Sequence, residues 1–185
     1  MKTKEFLFTI PAKKIINSNQ SIHLMVKSQR SAYLRKISQD AGAYEHTQKE
    51  EAQQYLDRNR GLQERSNKKG SVTKKMKKAN CTPEEIAEAM EDIDRTFPIV
   101  DTPSGLEYEF KGRFEATCII HTPTKRHIDP PNLWPTVKPL LDGLTDSGWW
   151  EDDDSTRLVR TSFERGENST SKGDYQITII IKEIS

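Results

Sequence analysis

The run Tyr175 to Lys182, YQITIIIK, limits what this chain can fold into more than any other stretch. It is rich in isoleucine, whose branched side chain packs well on a pleated surface and loses freedom in a helix. Its near-continuous apolar centre predicts a strand at the middle of a sheet, buried on both faces. The chain must therefore supply neighbours for it. Glu5 to Ile10 (EFLFTI), which stops at Pro11, reads as one strand. Arg113 to His121 reads as another, because Phe114, Ala116, Cys118 and Ile120 alternate with polar or outward positions. Leu106 to Phe110 is expected to join it as a hairpin through a Lys111-Gly112 turn, and Thr156 to Glu164 to form a further strand.

Helical spacing fills the gaps. From about Ile22 to Leu56, Tyr33, Ile37, Ala41, Tyr44, Gln48, Ala52 and Tyr55 recur at three- and four-residue intervals and predict one packing face. Lys27, Ser31, Arg35 and Gln39 fall on the opposite face, read as solvated surface with a phosphate-tracking face as the alternative, and Gly42 is a candidate break. Residues 57–80 lack apolar periodicity and are expected to be an exposed loop or a partly disordered insertion. Thr82-Pro83-Glu84-Glu85 has the form of a capping box and starts a helix that turns Ile86, Ala89, Met90 and Ile93 inward. Pro98 to Gly105 reads as a loop. Strands flanking and interrupted by helices define an α+β class.

Charge and composition narrow the function classes. Apolar residues make up 33% and the net charge is +1, so no global basicity advertises nucleic acid. Local bias is strong, however: nine Lys or Arg and a single acid, Glu64, lie between Arg58 and Lys78, and acids dominate Glu84 to Asp94. Cys81 and Cys118 belong to no metal-ligand spacing and read as reduced thiols. The absence of a long apolar run predicts a soluble cytoplasmic protein without a membrane partner.

Chemistry concentrates in residues 127 to 158, HIDPPNLWPTVKPLLDGLTDSGWWEDDDSTRL. Leu133, Val137, Leu140, Leu141 and Leu144 predict a helix, starting at an Asn132 cap or near Thr136, with a kink at Pro139. Lys138 and Asp142 share one of its faces. Glu151, Asp152, Asp153 and Asp154 follow beyond Gly148. Carboxylates from several elements are what Mg²⁺ or Mn²⁺ needs, and a lysine beside them offsets charge at a phosphoryl group. The plain alternative is a solvated acidic turn and a surface ion pair.

Asp129-Pro130-Pro131-Asn132-Leu133, Lys138-Pro139-Leu140-Leu141-Asp142-Gly143-Leu144 and Asp152-Asp153-Asp154-Ser155 resemble the RusA family of Holliday junction resolvases, in its phage and prophage form. The likeness is close over residues 122 to 160 and looser at Asn17-Ser18-Asn19. It implies a single RusA-like nuclease domain over residues 1–185, with a basic and then acidic insertion at about 57–100. The implied fold has two layers, a mixed sheet with helices packed on one face. The implied activity is Mg²⁺- or Mn²⁺-dependent cutting of branched DNA by a homodimer, in a bacterial or phage-infected cytoplasm. Asp129, Lys138 and Asp154 carry over as catalytic residues, and Asp129, Asp153 and Asp154 as metal ligands. Lys68, Lys69, Lys74, Lys75, Lys125 and Arg126 are the expected DNA contacts, each able to displace phosphate counterions. Pro131 stands where the family pattern has a second aspartate, with Asp142 or Asp152 as the replacement. Two other functions fit the same residues: a non-catalytic branched-DNA-binding protein, and a general metal-dependent phosphohydrolase.

Overall fold

The structure, a computed structural model, describes residues 2–45, 49–96, 107–125 and 127–184. The expected loop at Pro98 to Gly105, together with Gln48, Leu106 and Arg126, lies outside the described residues, as do the side chains of Tyr44 and Ala52. The chain divides into two compact units, residues 1–52 with 107–185, and residues 53–106.

The first unit is a two-layer α+β fold on a mixed four-stranded sheet. Its strands are β1 (Thr3–Pro11), β2 (Arg113–His121), β3 (Leu158–Arg165) and β4 (Asp174–Ile184), in the order β1-β4-β2-β3. The isoleucine-rich strand is central, antiparallel to β1 on one side and to β2 on the other. Ile177, Ile179 and Ile181 are fully buried beside Phe6, Phe8, Ile10 and the alternating Phe114, Ala116, Cys118 and Ile120. Thr178, on the other face, is also buried, whereas Leu7 on the edge strand is 59% exposed.

Among the described residues, β2 does not pair with Glu107 to Phe110 as a hairpin. Its second partner is β3, in parallel. Parallel strands need a crossover, and residues 130–146 provide it as a short 3-10 turn (Pro130–Leu133) and the helix α4 (Trp134–Asp146). Asn132 does not cap α4. The Pro130-Pro131 pair sets a tight turn first, so Leu133 occupies the cap and Asn132 bonds back to Asp129. The helix runs on through Pro139, and Leu133, Val137, Leu140, Leu141 and Leu144 are all buried in the sheet's core.

Helix α1 (Leu24–Glu45) lies against α4. Gly42 does not break it. A Cβ there would run into the Ser147 side chain, and one at Gly143 would lie 2.5 Å from the Arg35 carbonyl oxygen. The two glycines let the backbones meet, and the Ser38 hydroxyl donates to the Leu140 carbonyl across the seam. Leu34, Ser38 and Gly42 are buried positions of α1, with Tyr33, Ile37 and Ala41 at the margin.

Within the span expected as one long helix, Ile22 to Leu56, the described residues are helical over Leu24–Glu45 and again from Lys49, and residues 57–78 are not a loop. They form most of α2 (Lys49–Lys78). Residues such as Lys, Arg, Gln and Glu lose little freedom in a helix and need no core to favour one. In the second unit α2 meets α3 (Pro83–Thr96) through Asp94, which accepts from Arg65 and Lys69. Those two bonds, Lys69 foremost, hold the Asp94 carboxyl below its usual range. The capping box forms as read: the Thr82 N–H donates to Glu85 at 2.7 Å, and the Glu85 N–H to the Thr82 hydroxyl at 3.3 Å.

Candidate functional site

The apolar stripe of α4 faces the sheet, which leaves Lys138, Asp142 and Asp146, each four residues apart, on a second face. The Lys138 Nζ lies 2.5 Å from Asp142 Oδ1 and 2.5 Å from Asp153 Oδ2. Lys138 is 40% exposed and Asp153 only 12%, so the ammonium sits at the rim with one carboxylate beneath it. Burial alone pulls the Lys138 pKa down. Hydrogen bonds from the ammonium to Asp142 and Asp153, with their charges, outweigh burial and raise it.

Asp153 reaches this point because Trp149 and Trp150 anchor the chain ahead of it. Both are buried, Trp149 edge-on to Phe6 at 4.8 Å and Trp150 against Phe114 at 4.7 Å. The Trp150 indole N–H also donates to Thr145 at 2.7 Å, tying the loop to α4.

The remaining acids of the run take separate places. Asp152 is exposed and accepts the Asp153 N–H at 2.8 Å. Asp154 Oδ1 accepts from the Thr156 hydroxyl, the Thr156 N–H and the Arg157 N–H. These bonds, the Thr156 hydroxyl foremost, hold its carboxyl below the usual range. Glu151 pairs with Arg157. Asp129 is exposed in the loop that leaves β2 and accepts from the Asn132 amide at 3.2 Å.

The structure thus brings Lys138, Asp142 and Asp153 together. It places Asp129 and Asp154 in turns of their own, and among the described residues no three of His, Cys, Asp and Glu form a ready metal group. Of the expected DNA contacts, Lys68, Lys74 and Lys75 are exposed on α2 and Lys125 is exposed in the loop after β2. Lys69 is committed to Asp94. Among the described residues, no helix is long and apolar enough to cross a membrane.

Asp146 of this face escapes a reading of the sequence, and its partners Arg35 and Gln39 come from α1. Asp146, 7% exposed, accepts from Arg35 Nε at 2.5 Å, Arg35 Nη2 at 2.7 Å and Gln39 Nε2 at 2.6 Å. Arg35 and Gln39 are therefore not simply solvated surface on α1. The available signal was the second four-residue step on α4, from Asp142 to Asp146 after Lys138 to Asp142, beside a matching step on α1 from Arg35 to Gln39.

No family model matches the chain, and no curated protein matches it.

Proposed function

We propose that the chain is a RusA-like, structure-selective endodeoxyribonuclease that hydrolyses phosphodiesters of branched DNA with Mg²⁺ or Mn²⁺. The observation that carries this reading is the meeting of Lys138 with two carboxylates drawn from different elements, Asp142 of α4 and Asp153 of the loop entering β3. This meeting falls within the stretch that resembles the resolvase family. Oxygen-only donors already gathered round one positive charge fit a hard divalent ion. Asp142 and Asp153 would hold it, with Asp129 and Asp154 from the adjoining loops. Asp142 is the better replacement for the carboxylate that Pro131 displaces, because it already meets Lys138, whereas Asp152 Oδ1 accepts the backbone N–H of Asp153. A bound ion would supply an activated water and charge neutralisation at the phosphoryl group.

In this reading Lys138 works by charge. Its raised pKa keeps it an ammonium through neutral pH, so it stabilises developing negative charge rather than accepting a proton. Exposed lysines of α2 and Lys125 bind flanking phosphates, and a homodimer supplies the two symmetric cuts that resolution of a junction requires. A second reading, branched-DNA binding without cleavage, draws support from Asp154, whose Oδ1 is occupied by the Thr156 turn.

A synthetic four-way junction and a matched linear duplex, each with Mg²⁺ or Mn²⁺, separate the readings. Cutting of the junction alone, abolished in Asp154→Asn while binding persists, is the expected result. Binding without cutting by the wild type selects the second reading, and equal cutting of the duplex selects a general phosphohydrolase.

A further inference from the structure

The α1–α4 seam sets Arg35 beside the site with part of its guanidinium unspent. Gly143 lets the Arg35 backbone approach α4, and the bonds to Asp146 fix the plane of the guanidinium. Those bonds use Nε and Nη2, one edge of the fork. A guanidinium carries five N–H donors, and the Nη1–Nη2 edge is a second two-donor face matched to phosphate geometry. Nη1 has no hydrogen-bond partner among the described residues, and the side chain is 37% exposed. The hydrogen bond to Asp146 raises the Arg35 pKa, and the charges of Asp142 and Asp153 add to it, so the guanidinium shares the electrostatic field of the Lys138 cluster. Gln39, four residues on along α1, also donates to Asp146, which leaves that carboxylate well satisfied.

We infer that Arg35 is a substrate-contacting residue, gripping a DNA phosphate through its outer Nη1–Nη2 edge next to the Lys138 cluster. This rests on the reading of that cluster as a phosphodiester site. Asp146 is then the residue that aims the guanidinium, and it also explains how an acid is tolerated at the C-terminal end of α4, where the helix dipole disfavours negative charge.

A contact with phosphate and a purely structural ion pair differ in their salt dependence. Binding of the synthetic four-way junction is measured in EDTA against salt concentration for wild type, Asp146→Asn and the pair Arg35→Gln with Asp146→Asn. The pair variant replaces two charges with two amides, which leaves no buried charge unpaired. Asp146→Asn keeps an oxygen that accepts from the guanidinium and removes a negative charge near the phosphate, so if Arg35 holds a phosphate this variant binds at least as tightly as wild type. The pair variant then binds about 10-fold more weakly, with a slope of log K against log salt shallower by about 0.9, one phosphate contact. If the two variants share one affinity and one slope, Arg35 only serves Asp146 and the inference falls while the functional reading stands. If wild type binds neither junction nor duplex, the functional reading fails and takes the inference with it. A readout on wild type needs no variant: the Arg35 guanidinium ¹⁵N signals shift on stepwise addition of a short junction if the contact forms, and stay in place if it does not.

Discussion

At the residue scale, Lys138 carries the most specific expectation. Its folded pKa is raised, so its ion pairs contribute stability that is fully present below the unfolded value of about 10.4 and lost as pH climbs through the folded one. Chemical denaturation of wild type and Lys138→Met between about pH 8 and 11 should show a gap that narrows only at the alkaline end. A gap that closes near neutral pH would remove the lysine as a permanent cation. Removing the ammonium should slow cleavage by about 100-fold or more, as loss of a transition-state donor does, with a much smaller change in junction affinity. The reverse pattern would make Lys138 an ordinary DNA contact. The two cysteines give an independent check on the core. Burial pushes the Cys118 thiol up to about 12, while Cys81 is partly exposed. Thiol titration of the folded protein should therefore modify Cys81 alone, with Cys118 reacting only after unfolding. Rapid labelling of both would contradict the packing of β2.

At the scale of elements, the α1–α4 seam decides whether the site exists. A methyl group at Gly143 would press on the Arg35 carbonyl and the Gln39 amide, which are backbone atoms that cannot rotate away. Gly143→Ala should cost about 1–3 kcal/mol, as overpacking does, and weaken cleavage by moving α4. Thr82→Ala should cost about 1 kcal/mol, the usual worth of an N-cap, read in the unfolding of the helical unit at residues 53–106. What the sequence reveals divides along the same line. Periodicity exposes β1, β2, β4 and the buried face of α4, because alternation and four-residue spacing follow directly from burial on one side. Where apolar residues are sparse the signal weakens: over residues 57–78 the half-buried face of α2 offers only Leu62, Val72 and Met76, beside Arg65 and Lys69, which bond to Asp94 of α3. Gly42 illustrates the opposite failure, since a glycine is read locally as a break when its reason lies across the seam at Ser147.

At the scale of the whole molecule, topology explains why some site residues are legible and others are not. Lys138 and Asp142 are neighbours on one helix, and their spacing announces them. Asp153 joins them only through the anchoring of Trp149 and Trp150, and Arg35 only through the packing of α1, neither of which is written in local spacing. The same topology replaces the expected hairpin by a parallel crossover, so that α4 lies between β2 and β3 with Lys138 and Asp142 partly exposed and Asp146 buried against α1. The site is thus a property of three elements held together by one core. The most direct measurement is the single-turnover rate of four-way junction cleavage in Mg²⁺, with protein in excess, for wild type and Asp153→Asn. Wild type should cut, and the rate should fall about 1000-fold in the variant with junction affinity retained. Cutting by Asp153→Asn at the wild-type rate, or binding by wild type without any cutting, would contradict the nuclease reading.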